Sequence, residues 1–350
     1  MSRLQSHYDE VAESHGYTRT TSDFDGVLVP CLARRFVAVD GRETVAAALD
    51  QPTIVTTGVG MTGPPHLGTV GQILTAIRLQ ELGLDVQFVL ADLEPYHRGV
   101  DYRDVRRLAE RYRAFVRDLG FDSEQGALRT MDEGRDVMHT AHLLARHYAP
   151  EARDYWPEAE PSDWERAVES MYRAVSESDG PTSEAAGVHS AVLHFADFLH
   201  PLLKEDYEQV VVALGIDEHE LAVATRRFAR DAGVSGAIAG LHARMITGVA
   251  DYPKMAKSVP ESGIRLDMPP EDIRSLVLAD DAHDPAESLV CQAVRLASRY
   301  DSQRVAEVTD ACTAGGERWT TVKRKYADYV CELAARWRAT SEVAVEPSLG

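Results

Sequence analysis

Thr56-Thr57-Gly58-Val59-Gly60-Met61-Thr62-Gly63-Pro64-Pro65-His66-Leu67-Gly68-Thr69 is the stretch whose reading decides the fold. Thr53-Ile54-Val55, just before it, is a β-branched run of the kind that forms a buried strand. The Gly- and Pro-rich centre is expected to turn rather than to continue that strand. Beyond it Val70, Ile73, Leu74 and Ile77 recur at helical spacing, and Gly83 is placed to end the helix. The order is strand, glycine-rich loop, helix, which presents free N–H groups and a positive dipole end to phosphate. Neither the dinucleotide fingerprint nor the P-loop spacing is met. The loop carries instead an imidazole, His66, at the mouth of the helix, with Gly68 two places on.

A second stretch, Lys254-Met255-Ala256-Lys257-Ser258, sets two lysines in a chain whose cations are mostly arginine. A compact, flexible ammonium suits the neutralising of charge on departing phosphates. Read separately, a histidine after two prolines is a turn residue and two spaced lysines are surface charge. Together, a donor at a helix start and a cationic loop suit a site that holds phosphate charge.

Pro65-His66-Leu67-Gly68-Thr69 resembles the His-Ile-Gly-His signature of class I aminoacyl-tRNA synthetases, and Lys254 to Ser258 resembles their Lys-Met-Ser-Lys-Ser signature. Thr57 to Gly63 is similar to the Thr-Gly-Arg-Gly-Pro-Ser-Gly loop of eukaryotic and archaeal tryptophanyl-tRNA synthetases, departing from it at Val59 and Met61. Val259 to Asp267 and the closing helices are similar to the same enzymes; Ala91-Asp92-Leu93-Glu94-Pro95-Tyr96 resembles a tyrosyl-tRNA synthetase segment. The resemblance implies catalytic roles for His66, Thr69, Lys254 and Lys257. It implies nucleotide contacts from Thr57, Gly58, Gly68, Asp217, Met255 and Ser258, with Gly68 leaving room for adenine and Asp217 taking ribose hydroxyls. Asp197 would accept from the amino-acid side chain, with His194, Glu218 and Ser190 around the ammonium. Thr69 stands where the signature usually has a second histidine, and Glu218 where the family has glutamine. The ligands so implied are ATP, Mg2+ carried by ATP without a protein site, an aromatic amino acid (tryptophan before tyrosine) and tRNA, bound by a homodimer. Two alternatives stay open: transfer to an acceptor other than tRNA, and an RNA-binding module without catalysis.

The composition agrees with a well-filled core: 350 residues, 44% hydrophobic and 27% charged. Cys31, Cys291, Cys312 and Cys331 form no CxxC pair, which argues against a zinc knuckle or disulfide framework. No apolar run suits a membrane span and no signal peptide is visible, so a cytoplasmic protein is expected. The formal net charge of −19 opposes a nucleic-acid ligand unless basic faces are local.

The expected fold is α/β: a Rossmann-like parallel sheet, the HUP-type catalytic domain, with a helical insertion and a small all-helical C-terminal domain. An N-terminal segment would span 1–50, the catalytic domain 51–275 with its insertion at about 132–186, and the anticodon-stem-binding-like domain 276–350. Val86 to Asp92 reads as the next parallel strand and Val210 to Leu214 as another buried strand; residues 1 to about 25 read as a polar helix followed by a loop, Tyr17 to Ser22, expected to act as a mobile arm. The arginines of the helix from Arg103 to Leu119 read either as a solvated face with acidic partners or as tRNA contacts. Trp156, Trp164, Met171 and Tyr172 read either as a dimer interface or as ordinary internal packing.

Overall fold

The computed structural model describes residues 3–20, 33–151, 153–157, 160–176 and 183–340. Cys31, Thr21 and Ser22 lie outside the described residues. Among the described residues the sheet has seven strands: β1 (Thr18–Arg19), β2 (Phe36–Asp40), β3 (Thr53–Gly60), β4 (Asp85–Ala91), β5 (Gly126–Thr130), β6 (Gln209–Gly215) and β7 (Ala237–Ala243). Their order is β1-β2-β7-β6-β3-β4-β5. From β7 to β5 every pairing is parallel, while β1 and β2 join the edge antiparallel. The central strands are buried along almost their whole length and mostly apolar, as an interior parallel sheet covered on both faces requires; Gln87 is a buried polar exception on β4.

The glycine-rich segment departs from expectation. β3 does not turn after Val55; it runs on to Gly60, with Gly58 opposite Val89 and Gly60 opposite Ala91 on β4. Pairing with an apolar neighbour outweighs the weak strand propensity of glycine. The turn falls at 61–65, and His66 caps the helix Leu67–Glu81. β2, β5 and β7 were absent from the sequence reading. β7, Ala-Ile-Ala-Gly-Leu-His-Ala, is too rich in Ala and Gly to announce a strand, and burial between β6 and β2 decides it.

One core runs from Val55 and Val86 in the sheet to Val330 and Trp337 in the last helix, Gly316–Ala339, so the C-terminal helices pack directly on the sheet's helical layer. Trp337 meets Tyr112 and Phe115 edge-on, with centroids 5.1 and 5.5 Å apart, and the Arg111 guanidinium lies 4.3 Å from a Trp337 ring centroid. The arginines of the helix Tyr102–Asp118 therefore have partners within the chain: Arg106 with Asp92, Asp132 and both Glu110 and Glu133, and Arg113 with Glu110 and Glu133. Lys323 of the last helix is buried and donates to the carbonyls of Leu278 (2.9 Å) and Asp280 (2.6 Å) at a helix end.

The N-terminal helix Arg3–Ser14 is not a free arm. Leu4, Tyr8 and Val11 form a core with Trp164 and Ile216, and Tyr17 continues it. Trp164 and Met171 are buried inside the chain on the helix Asp163–Ser176, against the N-terminal helix and the lysine loop respectively. Trp156 alone of the four candidate interface residues is exposed, at 39%.

Candidate active site

Sequence proximity brings His66 to a helix mouth; a second chain crossing brings the lysines to His66. The amide of Leu67 donates to the carbonyl of Ile264 (3.1 Å) and that of Leu266 to the carbonyl of Pro65 (2.9 Å), with His66 opposite Arg265. This short antiparallel ladder ties the segment after the lysines to the histidine loop. At Gly63 an added Cβ would stand 3.1 Å from the carbonyl oxygen of Lys257, so the two loops pack closely there. Tyr112, wholly buried, fixes the loop from beneath by donating to the Gly63 carbonyl at 2.9 Å.

The result is a cavity of about 280 Å³ at the carboxyl ends of β3 and β6, where chain order reverses from one side of the sheet to the other. It is lined by Thr57, Gly58, His66, Gly68, Thr69, His194, Asp197, Asp217, Glu218, Lys254, Met255, Lys257 and Ser258. Of the residues singled out in the sequence, Ser190 is the exception: its hydroxyl lies 2.8 Å from Nδ1 of His97, away from the cavity. Ser190 and Asp197 are seven residues apart and share a face of the helix Glu184–Lys204, but about two turns separate them along its axis, which sets Ser190 beside residues 93–97.

His66 Nδ1 accepts from the amide of Thr69 at 3.3 Å. Burial lowers the imidazole well below its usual value, and the nearby Lys257 and Lys254 lower it further, so it is neutral. With Nδ1 an acceptor, the ring proton is on Nε2. His66 is thus a neutral N–H donor at a helix start. Gly68 leaves room for the imidazole as well: a Cβ there would lie 2.9 Å from Cε1 and 3.0 Å from Nδ1 of His66. The missing side chain makes space for the imidazole. Thr69 reaches the cavity wall. Thr57 Oγ1 accepts from Gln72 Nε2 at 3.4 Å, and the same amide donates to the Gly58 carbonyl at 2.6 Å.

Lys254 and Asp217 form a buried ion pair, so the carboxylate expected to take ribose hydroxyls already holds an ammonium. Burial alone would lower Lys254, but Asp217 and Tyr172 outweigh it and the lysine is raised above its usual value. The Lys254 ammonium stands 5.2 Å from the Tyr172 ring centroid. Lys257 behaves oppositely. Burial pushes it down to about 8, against the pull of Glu218 and Glu94 and with the push of Lys254. Glu218 opens to the cavity, yet crowding by protein and by Asp217 pushes its carboxyl up to about 7.

Several residues that line or support the cavity were not assigned a site role from the sequence. Glu94 faces the cavity from the end of β4, and its charge bears on both Lys257 and Glu218. Its place at a strand's carboxyl edge was the available signal. Tyr172 and Trp164, from the insertion, hold the lysine loop: Trp164 Nε1 donates to the Pro253 carbonyl at 3.1 Å. Arg129, on the unread strand β5, lies behind Asp197, 2.6 Å from its Oδ1. Among the described residues no group of three or more His, Cys, Asp or Glu side chains is arranged to hold a metal ion.

Fold and cavity define a doubly wound α/β protein whose site is a helix N-terminus faced by a lysine loop. Residues 48–279 match the family described as tRNA synthetases class I (W and Y). The chain belongs to that family. Over 232 residues it is 29% identical to tryptophan–tRNA ligase 1 of Halobacterium salinarum, an alignment spanning 65% of this chain and 40% of that protein's length. The solved tryptophanyl-tRNA synthetase of Aeropyrum pernix superposes with a TM-score of 0.72 at 21% identity, over 96% of this chain and 94% of that one. The tryptophanyl-tRNA synthetase of Encephalitozoon cuniculi bound to tryptophan gives 0.70 at 14% identity, over 96% of each chain. Tyrosyl-tRNA synthetase of Archaeoglobus fulgidus with L-tyrosine gives 0.63 at 17%, over 97% of this chain and all of that one. The α/β fold with its helical C-terminal part is that of these proteins.

Proposed function

We propose that the protein activates an aromatic amino acid, tryptophan, with ATP and passes the aminoacyl group to tRNA. The observation that carries this is the convergence of the neutral His66 N–H with Lys254 and Lys257 on one cavity, across the ladder between residues 65–67 and 264–266. A carboxylate oxygen of the amino acid attacks the α-phosphorus, the new C–O–P bond forms and the bond to the β-phosphate oxygen breaks with its electrons leaving on pyrophosphate. His66 Nε2–H is offered to an α-phosphate oxygen, while the two ammoniums balance the leaving group. An acceptor hydroxyl then attacks the carbonyl and AMP departs.

ATP ribose reaches Asp217 by displacing Lys254, which frees that lysine for the phosphates. Thr57, Gly58, Met255 and Ser258 border the nucleotide; Asp197, His194 and Glu218 border the amino acid. Mg2+ travels with the triphosphate, which supplies the oxygens it prefers. A homodimer is supported by Tyr96, Leu143 and Val188, exposed at 47%, 53% and 42% on the helices Leu93–His97, Arg135–Leu144 and Glu184–Lys204, the first two of which both pack on the third. The division into an N-terminal segment, a sheet domain and a helical C-terminal domain, and a cytoplasmic site of action, are part of the same reading.

ATP–pyrophosphate exchange with each of the twenty amino acids, followed by tRNA charging, tests it. Tryptophan-dependent exchange and charging are expected; exchange with no amino acid refutes activation. A second reading, transfer to an acceptor other than tRNA, is favoured by the net charge of −19 and by the internal pairing of Arg106 and Arg113. Exchange without charging selects it.

A further inference from the structure

Asp197 is buried on the helix Glu184–Lys204 and lines the cavity. A carboxylate in such a place is costly unless a cation and hydrogen bonds compensate it. Arg129 supplies both. Its Nη2 lies 2.6 Å from Asp197 Oδ1 and 3.0 Å from Gln87 Oε1. Gln87 closes the ring: its Nε2 donates to the backbone oxygen of Asp197 at 3.0 Å and to Thr56 Oγ1 at 3.5 Å. Four elements (β3, β4, β5 and the helix of Asp197) are thereby locked around one carboxylate. Asp197 Oδ2 has no hydrogen-bond partner among the described residues.

The arrangement has two chemical consequences. The first is orientation: with Oδ1 pinned from behind, Oδ2 is an acceptor of fixed direction at the cavity floor. The second is charge: the guanidinium balances the carboxylate, so the floor attracts a neutral N–H or O–H donor and holds no surplus negative charge for a cationic side chain. A buried acceptor left unpaired by a substrate lacking that donor is the condition for strong rejection.

We propose that Arg129 is a positioning residue that sets amino-acid selectivity through Asp197, admitting an aromatic side chain with a neutral donor, such as an indole N–H, and rejecting phenylalanine. This rests on reading the cavity as an amino-acid site. Arg129 does not itself border the cavity, and its action on substrate passes through Asp197.

The test is equilibrium binding by calorimetry of L-tryptophan, L-tyrosine, L-phenylalanine and, separately, ATP, to the wild type and to Arg129→Met, Arg129→Lys, Asp197→Asn and the double variant Asp197→Asn/Arg129→Met. Wild type is expected to prefer its donor-bearing ligand over phenylalanine by about a hundredfold or more. In Arg129→Met that ratio falls to about tenfold or less while ATP affinity holds, and Arg129→Lys recovers part of it. In the Asp197→Asn background, adding Arg129→Met leaves the ratio unchanged, because the arginine has lost the group it acts through. Equal weakening of all three amino acids, weakened ATP binding, or a further change in that background overturns the proposal. Should Arg129→Met not fold, the charge-free double variant and Arg129→Lys carry the same comparisons. Tryptophan binding without pyrophosphate exchange sinks the activation reading and leaves this inference standing. No binding of any aromatic amino acid sinks the inference, whereas exchange with a different amino acid would leave activation in place.

Discussion

The amide of Leu67 donates to the carbonyl of Ile264 across 3.1 Å, joining parts of the chain almost two hundred residues apart. Everything proposed for the cavity depends on this strand-like contact, because it holds the lysine loop over the imidazole at the helix mouth.

The crowding at Gly68 makes a specific expectation. Gly68→Ala places a methyl 2.9 Å from the His66 ring and displaces it. The helix should tolerate alanine, so thermal stability changes little, while adenylate formation falls by on the order of a hundredfold, as when a charge-stabilising donor is lost. Pyrophosphate exchange beside a melting curve measures both, and wild-type exchange in the variant would show the imidazole is not needed where it stands.

Lys254 and Asp217 are about nine-tenths buried, with side-chain exposures of 11% and 12%. Removing one partner leaves an uncompensated charge, so Lys254→Met or Asp217→Asn alone should each destabilise by roughly 3 kcal/mol in urea unfolding. The double variant should cost clearly less than the sum. Additive losses would mean the pair is not coupled in the folded protein.

The pH dependence of activation follows from Lys257. Burial, opposed by Glu218, brings it down to about 8, so its positive charge is lost as pH rises through that value. Activation rate should therefore decline above about pH 8, and Lys257→Arg should push the decline out of range. A profile flat to pH 10 would deny that this ammonium serves the reaction.

Acid should weaken the fold through two histidines beside Tyr17. Burial pushes His242 down to about 3 and His219 down to about 4, with neighbouring histidines adding to both shifts. Both are neutral when folded, whereas the unfolded chain takes up protons as pH falls below about 6.5. Their contribution to stability is present above that pH and is lost progressively down to about 4, roughly 2 kcal/mol per histidine by pH 5. Urea midpoints at pH 7 and pH 5, compared between wild type and His242→Phe, measure it; an unchanged pH dependence in the variant would remove His242 from the account.

The order strand, glycine-rich loop, helix could be read at Thr53 to Ile77 because apolar spacing and a capping residue are local signals. His66 and the lysines were legible because their chemistry is unusual for their surroundings. What local signals could not carry was the neighbour of each strand. β7 is more than half alanine and glycine and becomes a strand through its burial between β6 and β2; β5, equally silent in local signals, carries Arg129. The pairing of Lys254 with Asp217, the packing of Trp164 on Pro253 and the displacement of Ser190 to His97 are all long-range contacts fixed by tertiary geometry.

The central claim is that one triphosphate lies between His66 and the lysine loop. The most direct measurement is a crystal structure with a non-hydrolysable ATP analogue and L-tryptophan. The account predicts an α-phosphate oxygen within hydrogen-bond reach of His66 Nε2, ribose on Asp217, and Lys254 released to the phosphates beside Lys257. Nucleotide bound elsewhere, with the imidazole untouched and the Lys254–Asp217 pair intact, would contradict it.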